Sequence, residues 1–540
     1  MVPEPASIEE TAPGKRAKIG IKGLDDILGG GLPTNHLYLV DGDPGTGKTT
    51  MALQFLLEGA RNGERGLYVT LSESREELEA VAESHGWSLE GIDIFEMSKQ
   101  GVGEIEEGYT IFHPAEVELQ QTVDEVLDTV KEKKPLRVAF DSLSEMRLLA
   151  REALRFRRQI LALKQFFNGR NCTVLLLDDK TSPEGDLQMH SLAHGVMVLE
   201  HIALEYGSER RRLRVTKVRG IEFRGGYHDF RILRGGLEVY PRVQQDDPKV
   251  DVSDKNLVSG SAPLDALLGG GLTCGTSTLI TGAAGTGKSI LCSQFAKSAI
   301  ESGERVLFYL FDERISTFKL RAKALGMVME SALASGQLRL VQVEPTELSP
   351  GEFASQVVRA VEDDGVTLVV LDSINGYLQS MPEERLLAIQ IHELLSFLAN
   401  NGVTSIMTLV QHGIFGNPVA EALDVSYLAD TVMLLRYFEV SGSVRQAISV
   451  VKKRSGDHER MIRECRVQTG GLFVGEPLSE FQGVLTGVPH YVGAAAPLLE
   501  EKDNGNNSDG ARKQSSEPQS KSEDGVGERG RKRVRKKSGR

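Results

Sequence analysis

Short β-branched runs alternate with helical segments along most of this chain. His36–Val40 reads as a strand, a glycine-rich loop follows, and Thr49–Arg61 reads as a helix with Leu53, Leu56 and Leu57 on one side. Gly66–Leu71, Arg137–Phe140 and Cys172–Leu177 are further short apolar strands, separated by charged helical stretches such as Glu118–Lys133 and Arg151–Asn168. The second half repeats the alternation, with strands at Thr276–Thr281, Val306–Phe311, Thr367–Leu371 and Thr404–Leu409. Strands joined through helices predict a mostly parallel sheet covered on both faces. Ligands of such a sheet bind beyond the carboxyl ends of its strands. The expected class is therefore α/β, with two tandem P-loop domains around central sheets.

Sequence identity between the halves follows the same frame. Gly23-Leu24-Asp25-Asp26-Ile27-Leu28-Gly29-Gly30-Gly31-Leu32 returns as Ala262-Pro263-Leu264-Asp265-Ala266-Leu267-Leu268-Gly269-Gly270-Gly271-Leu272, with Asp25 and Asp265 240 residues apart. The segments ending in Ser72-Glu73 and Asp312-Glu313 keep that spacing. Asp141-Ser142 and Asp372-Ser373 pair at 231, so the loops before them differ in length. Lys217-Val218-Arg219 pairs with Lys452-Lys453-Arg454 at 235, as does Gly235-Gly236-Leu237 with Gly470-Gly471-Leu472. The expected divisions are a flexible N-terminus at 1–17, a first repeat domain at 18–240, a polar linker at 241–256, a second repeat domain at 257–490 and a disordered tail with a basic end at 491–540.

The candidate chemistry sits on two glycine loops. Gly42-Asp43-Pro44-Gly45-Thr46-Gly47-Lys48-Thr49 and Gly282-Ala283-Ala284-Gly285-Thr286-Gly287-Lys288-Ser289 each fit G-x-x-x-x-G-K-[S/T]. In that pattern backbone N–H groups wrap phosphates, the Lys reaches the β and γ oxygens, and the hydroxyl ligates Mg²⁺. ATP and Mg²⁺ are the cofactors this predicts. Asp141 and Asp372 each end an apolar strand and suit the Mg²⁺ shell beside Thr49 and Ser289. Glu73, and Asp312 with Glu313, stand at neighbouring strand ends, where a carboxylate can orient an attacking oxygen. The pairs Lys217/Arg219 and Lys452/Arg454 are candidates for cationic stabilisation of a neighbouring subunit's γ-phosphate.

Charge narrows the partners. The net charge is -13, yet residues 501–540 hold 12 Lys/Arg against 7 Asp/Glu. An acidic body argues against a surface given over to nucleic acid, which leaves the basic tail as the possible contact. Cys172, Cys274, Cys292 and Cys465 are scattered, which suggests neither a zinc site nor a disulfide framework. No apolar run has membrane-spanning length and the start is not signal-like, so a cytoplasmic protein without a membrane is expected.

The paired modules, the Gly-Gly-Gly-Leu lead-in, the Lys-x-Arg pairs and the closing Gly471-Leu472-Phe473-Val474-Gly475-Glu476-Pro477 and Gly483-Val484-Leu485-Thr486-Gly487 resemble the KaiC family of circadian clock ATPases within the RecA superfamily, over about residues 18–490. The resemblance implies two RecA-like domains, a double-ring homohexamer with ATP between subunits, slow hydrolysis, and Ser/Thr autophosphorylation in the second ring. The family's acid pair falls on Ser72-Glu73 and Asp312-Glu313, where this chain has Ser and Asp in place of the family's first Glu. The family's acceptor pair falls on Ser426-Tyr427, which makes Ser426 the candidate phosphoacceptor and puts Tyr where the clock protein has Thr. Two other classes share the ATPase core: a RecA-type nucleic-acid ATPase, and a nucleotide-gated scaffold that recruits a signalling partner with little turnover.

Overall fold

A computed structural model describes residues 15–96, 114–150, 152–179, 187–203, 207–244, 255–344, 346–378, 384–411, 426–440, 442–484 and 490–492. The expected N-terminal segment up to residue 14, most of the linker and the basic tail lie outside them.

The first half builds a nine-stranded sheet. In spatial order it runs Ile92–Glu96, Gly66–Thr70, Arg137–Asp141, Thr173–Asp179, Leu37–Gly42 and Gly195–Ile202, all parallel, then Arg210–Val218, His228–Leu233 and Gly236–Tyr240, each antiparallel to its neighbour. The second half repeats this with Leu338–Gln342, Val306–Leu310, Leu368–Asp372, Ser277–Gly282 inserted after Thr404–Val410, and Thr431–Val440, followed by antiparallel Ser443–Lys453, Arg463–Gln468 and Gly471–Pro477. The central parallel strands are mostly apolar and buried because helices cover both faces, while the edge strands Ile92–Glu96 and Leu338–Gln342 carry polar, partly exposed residues. The predicted strands fall within a residue or two of the observed ones. The helix expected over Arg151–Asn168 is observed at Ala153–Phe167, and a further helix, Leu143–Ala150, precedes it. The antiparallel extension of each sheet went unread, because its strands carry many charged residues on an exposed face.

Two features of the repeat explain motifs whose purpose the sequence left open. Gly236 and Gly471 take positive φ, and a Cβ on either would lie 2.5 Å from Gln54 or Gln294. That close approach lets Gln54 and Gln294, on the helices Lys48–Arg61 and Lys288–Glu301, accept from the N–H of Leu237 and Leu472 at 2.8 and 2.9 Å. The carboxylate of Asp25 accepts from the N–H groups of Ile19 and Gly20, and Asp265 accepts from Ser259, so both ordered lead-ins are tied down by an acid.

Among the described residues no helix is long and apolar enough to cross a membrane. All four cysteines are free thiols. The two halves meet through Arg231 and Glu352, Arg242 and Glu393, and the Gly351 N–H donating to Asp229 at 2.8 Å.

Candidate functional site

Each phosphate loop leaves the carboxyl end of a central parallel strand and runs straight into a helix. The residue at the turn, Gly47 or Gly287, has φ of 96° or 101°, a left-handed conformation that a side chain strains. At Gly47 a Cβ would also meet Ile232 Cδ1 at 2.8 Å. Thr46 and Thr286 are buried and donate to the carbonyls of Asp43 and Ala283, which closes each loop upon itself. Lys48 Nζ donates to the carbonyls of Gly42 and Asp43 at 2.8 and 2.9 Å, and Lys288 Nζ to those of Gly282 and Ala283 at 2.9 and 2.7 Å. Burial holds the Lys288 ammonium below its ordinary pKa.

The metal-shell candidates meet in the first half. Thr49 Oγ1 donates to Asp141 Oδ2 at 3.0 Å, and the buried Tyr68 hydroxyl donates to the same oxygen at 2.6 Å. Burial raises the Asp141 pKa, while these two donors oppose the rise. In the second half Asp372 instead accepts from Thr408 Oγ1 at 2.6 Å, and position 308 is Phe where the first half has Tyr68. The peptides Asp141–Ser142 and Asp372–Ser373 are both cis. Among the described residues no group of three or more His, Cys, Asp or Glu is placed to hold a metal. A hydroxyl and one carboxylate fit an ion that takes its other ligands from phosphate and water, which is how Mg²⁺ binds beside nucleotides.

The acids that were paired by sequence separate in structure. Glu73 keeps a buried Oε2 with no hydrogen-bond partner among the described residues, and its pKa is raised by burial first and then by Asp141, Glu77 and Asp179. Glu313 is instead bound by Arg321 at 2.6 Å, and Asp312 accepts from Ser373 Oγ at 2.5 Å. Ser72 is exposed. Arg321 carried no repeat signal, since Val81 stands at the same spacing in the first half.

The Lys-x-Arg pairs sit at the other end of each sheet. Lys217 pairs with Val196 and Lys452 with Val432, each beside an irregularity in strand register, where a bulge redirects side chains. Lys217 Nζ donates to His190 O and Arg219 to Ser191 O, while Lys452 donates to Ser426 O at 3.0 Å and Arg454 to Tyr427 O at 3.2 Å. The phosphate-loop strand passes Gly195 at Tyr38 and ends at Gly42, so at ~3.3 Å per residue the pair lies roughly 13 Å or more from its own loop. Ser426 shares that remote end, because Asp430 N donates to Ser277 O at the start of the second loop's strand.

Two pairs of residues were missed despite a readable signal. Gln54 and Gln294 stand at the 240-residue spacing of the loops themselves. Asp178-Asp179 ends an apolar strand just as Asp141 does.

Two glycine loops, each with its Lys, its hydroxyl and a strand-end acid on a mostly parallel sheet, define a duplicated P-loop NTPase of RecA type. A family model described as "ATPase: KaiC" matches residues 17–244 and 258–479, and the chain belongs to that family. It is 27% identical over 491 residues to the circadian clock oscillator protein KaiC of Thermostichus vulcanus, covering 89% of this chain and 93% of that protein. It is 25% identical over 493 residues to the circadian clock protein KaiC3 of Synechocystis sp., with 89% and 96% covered. The circadian clock oscillator protein KaiC of Parasynechococcus marenigrum is 25% identical over 500 residues, with 90% and 96% covered. The chain is thus an ATP-hydrolysing enzyme of the KaiC type.

Proposed function

We propose that this protein is a cytoplasmic double-ring homohexamer that binds ATP·Mg²⁺ between subunits, hydrolyses it slowly and phosphorylates itself on Ser426, in a signalling or clock-like role. The observation that carries the reading is the placement of Lys217/Arg219 and Lys452/Arg454 at the sheet end remote from their own loops. A cation there is too far to serve its own nucleotide, whereas a neighbour stacked in a ring brings a second nucleotide to it. Ser426 is remote in the same sense, so phosphoryl transfer to it runs between subunits. The clock-like role rests on the names of the relatives alone.

Thr49 with Asp141, and Ser289 with Asp372, would hold Mg²⁺, which supplies charge neutralisation at the phosphates. In the first half Glu73 is the acceptor that orients the attacking water, since its Oε2 has no hydrogen-bond partner among the described residues and the carboxylate has a raised affinity for a proton. In the second half Asp312 takes the Ser426 hydroxyl proton as its oxygen attacks the γ-phosphorus and ADP leaves. Glu313 is withdrawn from that task by Arg321.

Incubation with ATP·Mg²⁺, then sizing and phosphopeptide mapping, tests the reading. Assembly that depends on nucleotide and phosphate on the Ser426 peptide are expected. A monomer saturated with ATP that turns it over overturns the ring, and unmodified Ser426 under turnover leaves an ATPase rather than a kinase. Salt-sensitive binding of single strands that is lost on deletion after Glu500 would instead support the nucleic-acid ATPase. An ATP-dependent ring without turnover would support the scaffold.

A further inference from the structure

The two phosphate loops differ in what already holds their lysines. A lysine ammonium has three N–H donors and no acceptor. Lys48 spends all three: on Gly42 O at 2.8 Å, on Asp43 O at 2.9 Å, and on Asp179 Oδ1 at 2.7 Å. Lys288 makes the first two bonds, to Gly282 O and Ala283 O, and among the described residues no carboxylate takes the third place. Strand register explains the difference. Gly42 pairs with Asp179, while Gly282 pairs with Val410. The other strand-end acids of the first half have partners of their own: Asp178 is held by Arg147 at 2.6 Å and Asp41 faces His190 at 3.4 Å. Asp179 is further set in place by Ser144 Oγ at 3.0 Å. In the second half Asn375 stands at the position of Ser144 and bonds the backbone of Val410.

We propose that Asp179 is a positioning residue that competes with ATP phosphate for Lys48, so that the first site binds ATP more weakly than the second. A phosphate approaching Lys48 has to displace a charge-assisted bond and meets a second negative charge beside it, whereas at Lys288 it meets a donor and an apolar neighbour. The asymmetry deepens the ATP-binding reading of the two loops and rests on it. Sequence comparison within the chain hides it, because both loops fit the same pattern.

The test uses full-length protein and radiolabelled ATP·Mg²⁺ in equilibrium dialysis, at matched protein concentration. In a Lys288→Ala background, Asp179→Val and Asp179→Asn are expected to tighten binding at the first site by ~tenfold and to lower KM more than they change kcat. Asp179→Glu, which keeps the charge, is expected to restore weaker binding. Because Asp179→Val removes a partly buried ion pair, a second variant guards against misfolding. Val410→Asp in a Lys48→Ala background is expected to weaken the second site by a similar factor. Unchanged or weaker binding in folded Asp179→Val, or unchanged binding in Val410→Asp, overturns the proposal while leaving the ATP reading intact. Failure of wild type itself to bind ATP overturns the reading on which the proposal rests.

Discussion

Glu73 and Glu313 occupy equivalent positions 240 residues apart, yet among the described residues only Glu313 has a cation paired with it. Glu73 is half-buried, and a carboxylate oxygen left buried without a donor is costly to folding, which favours keeping it where it serves chemistry. Glu73→Gln is therefore expected to lower first-site hydrolysis by ~100-fold or more while nucleotide still binds, measured as steady-state turnover in a Lys288→Ala background. Its pH dependence has a definite sign. Ionised Glu73 is the acceptor, so turnover is present above its raised pKa and lost as pH falls through it. The acid limb should lie above the ordinary glutamate range of about 4.3 and vanish in Glu73→Gln. A limb unmoved by the substitution would assign the titration to another group. In the second half the ion pair with Arg321 predicts that Asp312→Asn impairs phosphate transfer more than Glu313→Gln does. The opposite order, read by phosphopeptide yield, would show that Arg321 leaves Glu313 active.

At the scale of elements, the buried amides of Leu237 and Leu472 each depend on one glutamine that rises from the phosphate-loop helix. Gln54→Ala or Gln294→Ala leaves a buried N–H without its acceptor and should cost ~1–3 kcal/mol in denaturant unfolding, with the denaturant dependence unchanged. A loss below a few tenths would mean that water replaces the side chain. These bonds also show what the sequence could and could not convey. The parallel strands and loop helices were legible because burial on both faces writes a continuous apolar run, and because phosphate geometry demands glycine and lysine at set places. The antiparallel strands were not, since Arg210–Val218 alternates arginine with Leu213 and Val215 on a partly exposed face. The site followed the same divide. Thr49 and Asp141 were readable from a repeated strand end, but Arg321 and Tyr68 act through contacts made by one half alone. Lys217 and Arg219 were readable as repeated charges, while their bonds to the carbonyls of His190 and Ser191 depend on a register irregularity that composition does not encode.

Across the whole molecule, the halves are joined by a small set of ionic and backbone contacts in which Arg231 binds both oxygens of Glu352 at 3.1 and 3.2 Å. Arg231 is about half exposed, so solvent screening keeps the pair modest. A double-mutant cycle on Arg231→Ala and Glu352→Ala should give a coupling of ~0.5–1 kcal/mol. A coupling near zero would place the adhesion of the halves elsewhere, for instance in Arg242 and Glu393. The account as a whole rests on two working phosphate loops in one chain. The most direct measurement is ATP binding and turnover in wild type, Lys48→Ala, Lys288→Ala and the double variant, at matched concentration. Each single variant should lose the nucleotide of its own loop and keep the other, and the double variant should neither bind nor hydrolyse ATP. A folded double variant that turned over ATP at the wild-type rate would contradict the account.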